Sequence, residues 1–381
     1  MGPVPLVSPL GVSVPPEIAR HLDRLEQIID LEHAEASVRL QEAAYGYRPV
    51  ERIPQVLNFR DKVSKERSAE PDWPRFTYAE SFDSPACMLL DELEDVYAGA
   101  LLRDDKVYTI RANYGVGILP SLFGCEVHLE SADSLPWVEP VTDLDVLRQT
   151  IARGVPQPTG GLLARVFETQ EYFKETLAPY PKLSRTVRIA QADMQGPMNL
   201  ASEILGAGVY TLLYDDPKLL HELLDVVTET YIAVTRLQKQ VIGEELDRAN
   251  HWHFRILAGA RISEDFALSL SPRHYDEFAR PYNERCYAAF GGGYLLYADE
   301  GIPALEQILD TPGITGIYRW TWRPEDLNVI WPLASARKVC LIWNGPLPAG
   351  WRDTYRTGMV LDQVVAGADE AREVRRVIRD E

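Results

Sequence analysis

Short apolar runs alternate with amphipathic stretches along most of the chain. The first amphipathic stretch covers residues 16–44, where apolar positions recur at helical spacing between charges. A strand-like run begins at Arg52, and after about Lys106 further strand-like runs alternate with helical patterns, including a long one over residues 217–242. The strand-like runs are RIPQVLNF, VYTIRANYG, TVRIAQAD, RILAGARIS, GYLLYADEG, ITGIYRWTW, KVCLIWNGP and GMVLDQVV.

Strands that alternate with helices indicate a parallel sheet with the helices outside it, either doubly wound or closed into a barrel. No strand-like run is followed by GxGxxG or by a GK[ST] phosphate loop, so nucleotide-binding folds lose their main support and no nucleotide cofactor is expected. A chain of 381 residues fits one large barrel with a lead-in segment. We therefore predict an α/β fold, a (β/α)8 TIM barrel over residues 51–381 with an N-terminal helical extension over residues 1–50.

Charge and cysteine content narrow the classes of partner. The 57 acidic and 39 basic residues give a net charge of −18, which repels nucleic-acid phosphates and anionic membranes. No apolar run approaches the roughly 18 residues of a membrane span, and the Pro-rich start lacks the pattern of a signal peptide. The four cysteines are scattered without a CxxC pair. We expect a cytoplasmic protein that binds a small molecule, and we leave a homodimer open.

Several short segments occur in an order that resembles a known superfamily. They are NYG at 113–115, FGCE at 123–126, PWV at 136–138, QADMQGP at 191–197, YDDP at 214–217, ISED at 262–265, LSP at 270–272 and FARPY at 278–282. In order and spacing they resemble the uroporphyrinogen decarboxylase and corrinoid-dependent methyltransferase superfamily, from about Arg52 to the C-terminus. The resemblance implies barrel chemistry at the C-terminal strand ends, with a corrinoid carried by a partner protein as the cofactor of the methyltransferase branch.

Two departures from that pattern bear on the reaction. Decarboxylases acting on uroporphyrinogen have an Arg-rich segment for the substrate carboxylates, whereas the corresponding region here offers only Arg52, Arg60 and Lys62. The zinc-dependent methyltransferases have His-x-Cys on one strand and a further Cys near the last strand. The first position here is YADEG at 297–301, and the last strand has Asp362 and Gln363 without cysteine. We therefore expect no thiol-activating zinc site.

Polar residues at the C-terminal ends of barrel strands face the active-site mouth, and this rule selects the candidate site. The candidate substrate-binding residues are Asn113, Tyr114, Asp193, Gln195, Tyr297, Arg319, Trp320 and Asn344, and the candidate catalytic residues are Asp265, Asp299 and Glu300. Arg319, flanked by Tyr318 and Trp320 with Trp322 beyond, is predicted to hold a carboxylate beneath a flat ring or a corrin edge, although the tryptophans could equally be buried for packing alone.

Each acidic candidate also has a structural interpretation. One of the adjacent acids Asp299 and Glu300 is expected to act as a general acid, a general base or a ligand of a hard metal ion. The sequence supports equally well that this acid is the N-cap of the helix that follows. Asp265, beside Glu264, serves either in proton transfer or in a capping network. Asp193 and Gln195 frame a Gly-Pro turn. Gln195 is expected to orient polar groups of the substrate, whereas stabilisation of the turn explains Asp193 equally well.

Metal ligation has one further set of candidates. His251 and His253 in HWH are two positions apart, with one residue between them, so extended backbone places both imidazoles on one side. HWH precedes the strand RILAG, which favours an ordinary loop pair over a site at the mouth. If a metal binds, we expect His253 with Asp299 or Glu300 as its ligands. Cys340 falls early in its strand and is expected to pack within the barrel wall.

The sequence therefore predicts an enzyme that transfers a methyl group between a small polar or aromatic molecule and a corrinoid on a partner protein, or that demethylates such a molecule. Decarboxylation of a carboxylated ring is the alternative reaction. A barrel that binds tetrapyrrole or corrinoid without turning it over is the alternative from another class.

Overall fold

Parallel strands and surrounding helices make up the computed structural model, which describes residues 16–59, 73–297, 303–319 and 323–379. The strands are β1 (Gln55–Phe59), β2 (Thr109–Arg111), β3 (Val127–His128), β4 (Trp137–Val138), β5 (Arg188–Ala190), β6 (Ala249–His251), β7 (Phe254–Ile256), β8 (Ala260–Ser263), β9 (Gly293–Tyr297), β10 (Ile314–Arg319), β11 (Cys340–Trp343) and β12 (Met359–Val365).

Helices separate most of the parallel strands. They are α1 (Pro16–Ile28), α2 (Leu31–Tyr45), α3 (Tyr78–Asp83), α4 (Pro85–Leu102), α5 (Leu144–Ala152), α6 (Gly161–Leu177), α7 (Pro181–Thr186), α8 (Pro197–Leu205), α9 (Gly208–Asp215), α10 (Pro217–Ile242), α11 (Pro272–Phe278), α12 (Arg280–Ala289), α13 (Leu305–Leu309), α14 (Asp326–Ala336), α15 (Trp351–Thr354) and α16 (Ala368–Arg379).

The largest sheet contains six parallel strands in the order β1-β12-β11-β10-β9-β8. β2 and β5 form a second parallel pair, while β3–β4 and β6–β7 are antiparallel hairpins. The predicted α/β class and parallel pairing are thus confirmed. No ladder among the described strands joins β1 to β2 or β5 to β8, so the closed barrel stays a prediction.

Side chains on the six-stranded sheet alternate between two environments, as the period of two in a strand requires. One set packs against the β6–β7 hairpin and is called the hairpin face, and the other packs against the helices and is called the helix face. The hairpin face includes Val56, Tyr294, Tyr318, Cys340, Ile342 and Val360. The helix face includes Leu295, Tyr297, Ile317, Leu341, Trp343 and Leu361.

The β6–β7 hairpin was not anticipated, because RILAGARIS suggested one continuous strand. The chain instead turns sharply at Trp252, whose φ of 47° lies in the left-handed region. Gln41 on α2 holds the hairpin, since its Nε2 donates to the His253 carbonyl at 3.0 Å and its Oε1 accepts from the Arg255 amide at 2.8 Å. Val107, just before β2, also donates its amide to the His253 carbonyl, at 3.1 Å.

Two predicted helices are each divided in two. The N-terminal stretch breaks after Ile28, because the Asp30 side chain accepts from the His33 amide and caps a new helix. The second breaks at Ala279, just before Pro281, which lacks the amide needed to continue the preceding helix. The long helix predicted over residues 217–242 is confirmed as α10.

None of the helices within the described ranges combines the length and hydropathy that a bilayer crossing requires. The four cysteines are unpaired, and Cys340 is buried on the hairpin face as expected.

Candidate functional site

A tight turn follows β5 and carries two of the predicted residues. Gln195 has a φ of 54°, and its Nε2 donates to Asp193 Oδ1 at 2.8 Å. Its Oε1 accepts from Asn199 Nδ2 at 2.8 Å, and the Asn199 Oδ1 accepts from the Phe266 amide at 2.8 Å. This network joins the turn after β5 to the segment after β8 and fixes where the Asp193 carboxylate lies.

Asp193 lies near the end of β2, where Arg111 provides a guanidinium. Arg111 NH1 is 3.9 Å from Asp193 Oδ2, so the two charges form a loose ion pair. Glu92 on α4 accepts from the Arg111 amide at 3.0 Å and from Asn113 Nδ2 at 3.3 Å. Burial raises the pKa of the adjacent Tyr78, which also lies near Arg111, Glu92 and Asp193, so its hydroxyl stays protonated.

The tip of the β6–β7 hairpin approaches the same group of charges. The ring of His251 stacks on Trp252 at 4.5 Å and meets Tyr294 edge-on at 5.6 Å. Burial, with help from Arg261 and Arg111, holds the pKa of His251 well below its ordinary value of 6.5, so its imidazole is neutral. A neutral imidazole is both a donor and an acceptor.

A small cavity lies between this tip, β2, β5 and α4. Its lining residues with acidic or basic side chains are Glu92, Asp95, Arg111, His251, His253 and Arg261. Its volume of about 20 Å³ holds about one water molecule. Arg261 is buried, and its NH2 donates to the Ala192 carbonyl at 2.5 Å, while Asp193 lies close enough to offset its charge.

A buried carboxylic acid completes the polar groups on the hairpin face. Asp362 on β12 is 3% exposed, and its Oδ2 accepts from the Tyr318 hydroxyl at 2.5 Å. Its Oδ1 accepts from Asn58 Nδ2 at 2.6 Å, and Asn344 hydrogen-bonds Tyr318. Burial raises the pKa of Asp362, against the lowering effect of these hydrogen bonds and of nearby Lys106. An acid in such surroundings can hold a proton and release it to a bound group.

Comparison with solved structures shows a likeness in fold. The fold of this chain resembles that of a methyltransferase from Methanosarcina mazei. The likeness has a TM-score of 0.62 and covers 90% of this chain and 97% of the other, at 18% sequence identity. No protein-family model matches the sequence, and no curated protein is similar to it. At this identity the comparison establishes a shared fold.

Within that fold, four of the predicted residues lie with the polar groups just described. Asn113, Asp193 and Gln195 surround the ends of β2 and β5, and Asn344 contacts Tyr318. Their shared position after a strand predicted that they would lie near one another, and their role in substrate binding stays a prediction.

Two predicted residues lie on the helix face instead. Arg319 is 1% exposed, and its NH1 contacts Asp326 Oδ2, at the start of α14, at 2.6 Å. Tyr297 is its register partner on β9 and is buried among the helix-face residues. The prediction that Arg319 holds a substrate carboxylate stays untested, but the ion pair with Asp326 already gives its charge a structural partner.

Tyr114 and Asp265 also lie apart from the cavity. The Tyr114 hydroxyl is 2.8 Å from Thr169 Oγ1 in the helical layer, and Arg165 lies over its ring. Asp265 is exposed in the turn after β8. Its neighbour Glu264 is fully buried and accepts from the Met198 amide at 3.0 Å, in the first turn of α8. Glu264 thus performs the capping role considered for this pair.

Some candidates lie outside the described residues. They are Arg60, Lys62, Asp299, Glu300, Trp320 and Trp322. Arg52, the remaining candidate of the Arg-rich segment, pairs with Asp105, and its NH2 lies 2.6 Å from Asp105 Oδ1.

His253 was named as a ligand only for the case that a metal binds. Its Nε2 is 3.8 Å from Asp95 Oδ2, a carboxylate on α4 that the sequence did not single out. Within the described ranges, one group of three potential ligands has its ligand atoms within 4.8 Å of one another. It consists of Glu126, His128 and Glu139, around the exposed β3–β4 hairpin.

Sequence reasoning missed Arg111, Arg261 and the acids on α4. The first two are charged residues inside short apolar strands, and such a residue faces either a partner or a polar interior. That signal was present in VYTIRANYG and GARIS. Glu92 and Asp95 had no equivalent signal, because an acid on a helix usually faces solvent.

Proposed function

We propose that this chain is a methyltransferase or demethylase built on a (β/α)8 barrel over residues 51–381, with residues 1–50 as an extension. The observation that carries the proposal is the likeness in fold to a methyltransferase over nearly the whole of both chains. The closed barrel is supported by the count and order of the parallel strands, since β1, β2, β5, β8, β9, β10, β11 and β12 follow one another along the chain.

The polar groups on the hairpin face suit the removal of a methyl group from a heteroatom. When methyl leaves oxygen or nitrogen, the remaining atom gains electron density and is a better leaving group if it is protonated. Asp362 has a raised pKa, and the Tyr318 hydroxyl donates to it. This pair would deliver the proton, while Arg111, Asp193 and the neutral His251 would bind and orient the substrate's polar atoms.

The proposed cofactor is a corrinoid carried by a partner protein, whose reduced cobalt supplies the nucleophile for the methyl group when it is bound. A cavity of about 20 Å³ has room for about one water molecule, so it would take a single polar group of the substrate but neither the substrate's body nor the corrin ring. The body of the substrate, and the ring presented by the partner, would therefore lie outside this cavity at the C-terminal ends of the strands.

Anaerobic incubation with added cob(I)alamin and separate methyl donors tests the proposal. The donors are methanol, methylamine and methoxybenzoate, which span small polar and aromatic molecules. We expect one donor to consume cob(I)alamin, followed by visible absorbance, and to yield the demethylated product by mass spectrometry. Controls omit the protein or the donor.

Two results would contradict methyl transfer. Release of carbon dioxide from a carboxylated ring, without consumption of cob(I)alamin, would indicate the decarboxylase. Saturable binding of cobalamin in a spectral titration, without product from any donor, would indicate a barrel that binds the corrinoid without turnover.

A further inference from the structure

A second cavity lies at the N-terminal end of β5, opposite the strand end that leads to Asp193. Its volume of about 350 Å³ falls within the range of roughly 300–1,000 Å³ typical of small-molecule sites. The ends of α6 and α10, the segment after α7 and the β6–β7 hairpin form its walls. Leu177, Val187, Ile189 and Ile242 provide an apolar side, whereas Lys174, Arg185, Arg188 and Arg255 provide a cationic side.

Arg188, the first residue of β5, is the unusual member of this lining. Its Nε is buried and has no hydrogen-bond partner, and its guanidinium forms no ion pair with any residue that the structure describes. Burial lowers the pKa of Arg188 and nearby Arg255 lowers it further, whereas Glu245, Glu42 and Glu244 raise it without forming an ion pair with it. Arg188 is half-buried, and a buried guanidinium nitrogen without a hydrogen-bond acceptor is unfavourable, so an anion that accepts from it would stabilise the fold.

The other cations of the lining already have partners. Arg255 contacts Glu42 at 3.0 Å and Glu245 at 3.1 Å. Lys174 pairs with Glu171 at 3.1 Å, and Arg185 pairs with Glu35.

The buried acid of the lining is also compensated. Glu244 accepts from Lys239 Nζ at 2.7 Å and from Asn250 Nδ2 at 2.9 Å. Among the described charged residues that line the cavity, Arg188 is therefore the one without an ion pair to another described residue, and it is the cation that a bound anion would contact.

We propose that this cavity binds a small organic anion, whose carboxylate or phosphate pairs with Arg188 and whose apolar body lies against Leu177 and Ile242. A planar guanidinium binds either head group through two parallel hydrogen bonds. This site is separate from the proposed methyl-transfer site and does not depend on it.

The bound anion would also contact the hairpin that reaches the candidate active site. Asn250 and Arg255 line the cavity and are register partners in the hairpin. The next pair along is His251 with Phe254, so the ligand would lie one residue pair from the imidazole that faces the smaller cavity.

Calorimetric titration of the full chain with benzoate, phenyl phosphate and inorganic phosphate tests the proposal. Sodium chloride keeps the ionic strength equal in all arms, because screening alone weakens surface contacts. We expect saturable binding of at least one of the two aromatic anions, more tightly than inorganic phosphate. The aromatic anion that binds more tightly identifies the head group. Inorganic phosphate binding as tightly as both would overturn the apolar part of the proposal.

Arg188→Met should weaken binding at least about tenfold, since a hydrogen-bonded charge contributes roughly 1.5–3 kcal/mol. Without ligand, this variant should melt close to the wild-type temperature, because the Arg188 side chain makes no hydrogen bond or ion pair with the described residues and its Nε is buried without an acceptor. Arg148→Met is the matched control, since Arg148 is an exposed arginine that pairs with Asp216 at 3.3 Å. Absence of saturable binding, or equal affinity in wild type and Arg188→Met, would overturn the site.

Discussion

The two faces of the same strands differ in how their polar residues are used. On β10, Tyr318 is directed toward Asp362 and the hairpin, whereas the next residue, Arg319, is directed toward Asp326 on α14. Both follow the same apolar run, and both are buried. The position of a residue after a strand thus indicates the end of the sheet at which it lies, but its parity along the strand decides whether it packs against the β6–β7 hairpin or against the helices.

The largest expected effect concerns the helix face. Replacing Arg319 with Leu removes the buried partner of Asp326 but leaves the contacts with Arg323, so the loss should be about 1.5–3 kcal/mol, the contribution of a hydrogen bond to a charged group. Urea unfolding of the purified variant measures this loss. Arg323→Leu is the matched control, because Arg323 also contacts Asp326, at 3.2 Å, but its side chain is 55% exposed. Losses of equal size in both variants would mean that Arg319 is not the structural member of this cluster.

The next effect depends on pH and concerns Glu264, which also faces the helices. Burial raises the pKa of Glu264 from 4.5 to about 8, so the folded protein favours the neutral acid. The contribution of Glu264 to the free energy of unfolding should therefore be largest below pH 4.5. It should fall as the pH rises toward 8, by up to about 1.4 kcal/mol per pH unit.

Glu264→Gln should remove that pH dependence, because an amide does not titrate. Urea unfolding at several pH values between 5 and 8 gives the comparison, with exposed Asp265→Asn as the control that keeps it. Parallel pH profiles for wild type and Glu264→Gln would show that Glu264 is ionised in the folded protein.

The smallest effect separates two tyrosines on the hairpin face. Tyr318→Phe removes a donor to the buried Asp362 and should cost about 1–3 kcal/mol. Tyr294→Phe should change stability little, since the buried Tyr294 hydroxyl has no hydrogen-bond partner in the described chain. Thermal melts of both variants decide the matter, and equal melting temperatures would show that the Tyr318 hydrogen bond adds nothing.

The sequence predicted α10 because its helical period is long and regular, and it predicted the parallel strands because each lies in a short apolar run between amphipathic stretches. It did not predict the β6–β7 hairpin, whose second strand merges with β8 in one apolar run. Gly259 separates them, and a Cβ there would lie 1.7 Å from the Leu246 carbonyl oxygen. This close approach joins the segment before β6 to the segment before β8, and it leaves no periodic pattern in the sequence.

The candidate site was predicted in part for a similar reason. Asp193 and Gln195 were selected because they follow a strand. Asp362 was named only because it stands on the last strand, near which the zinc-dependent methyltransferases have a cysteine. Its burial depends on Tyr318 and Asn58, which come from strands far away in sequence.

The central claim is that the methyl-transfer chemistry uses the hairpin face, and one pair of adjacent residues tests it most directly. Asp362→Asn keeps the side-chain shape but cannot supply the proton, whereas Gln363, the next residue, accepts from Gln55 Nε2 at 2.6 Å. We predict that Asp362→Asn lowers kcat for donor-dependent cob(I)alamin consumption by about 100-fold or more, the usual contribution of a general acid. Gln363→Asn should retain the wild-type rate. Wild-type turnover by Asp362→Asn, with the same demethylated product, would contradict the account.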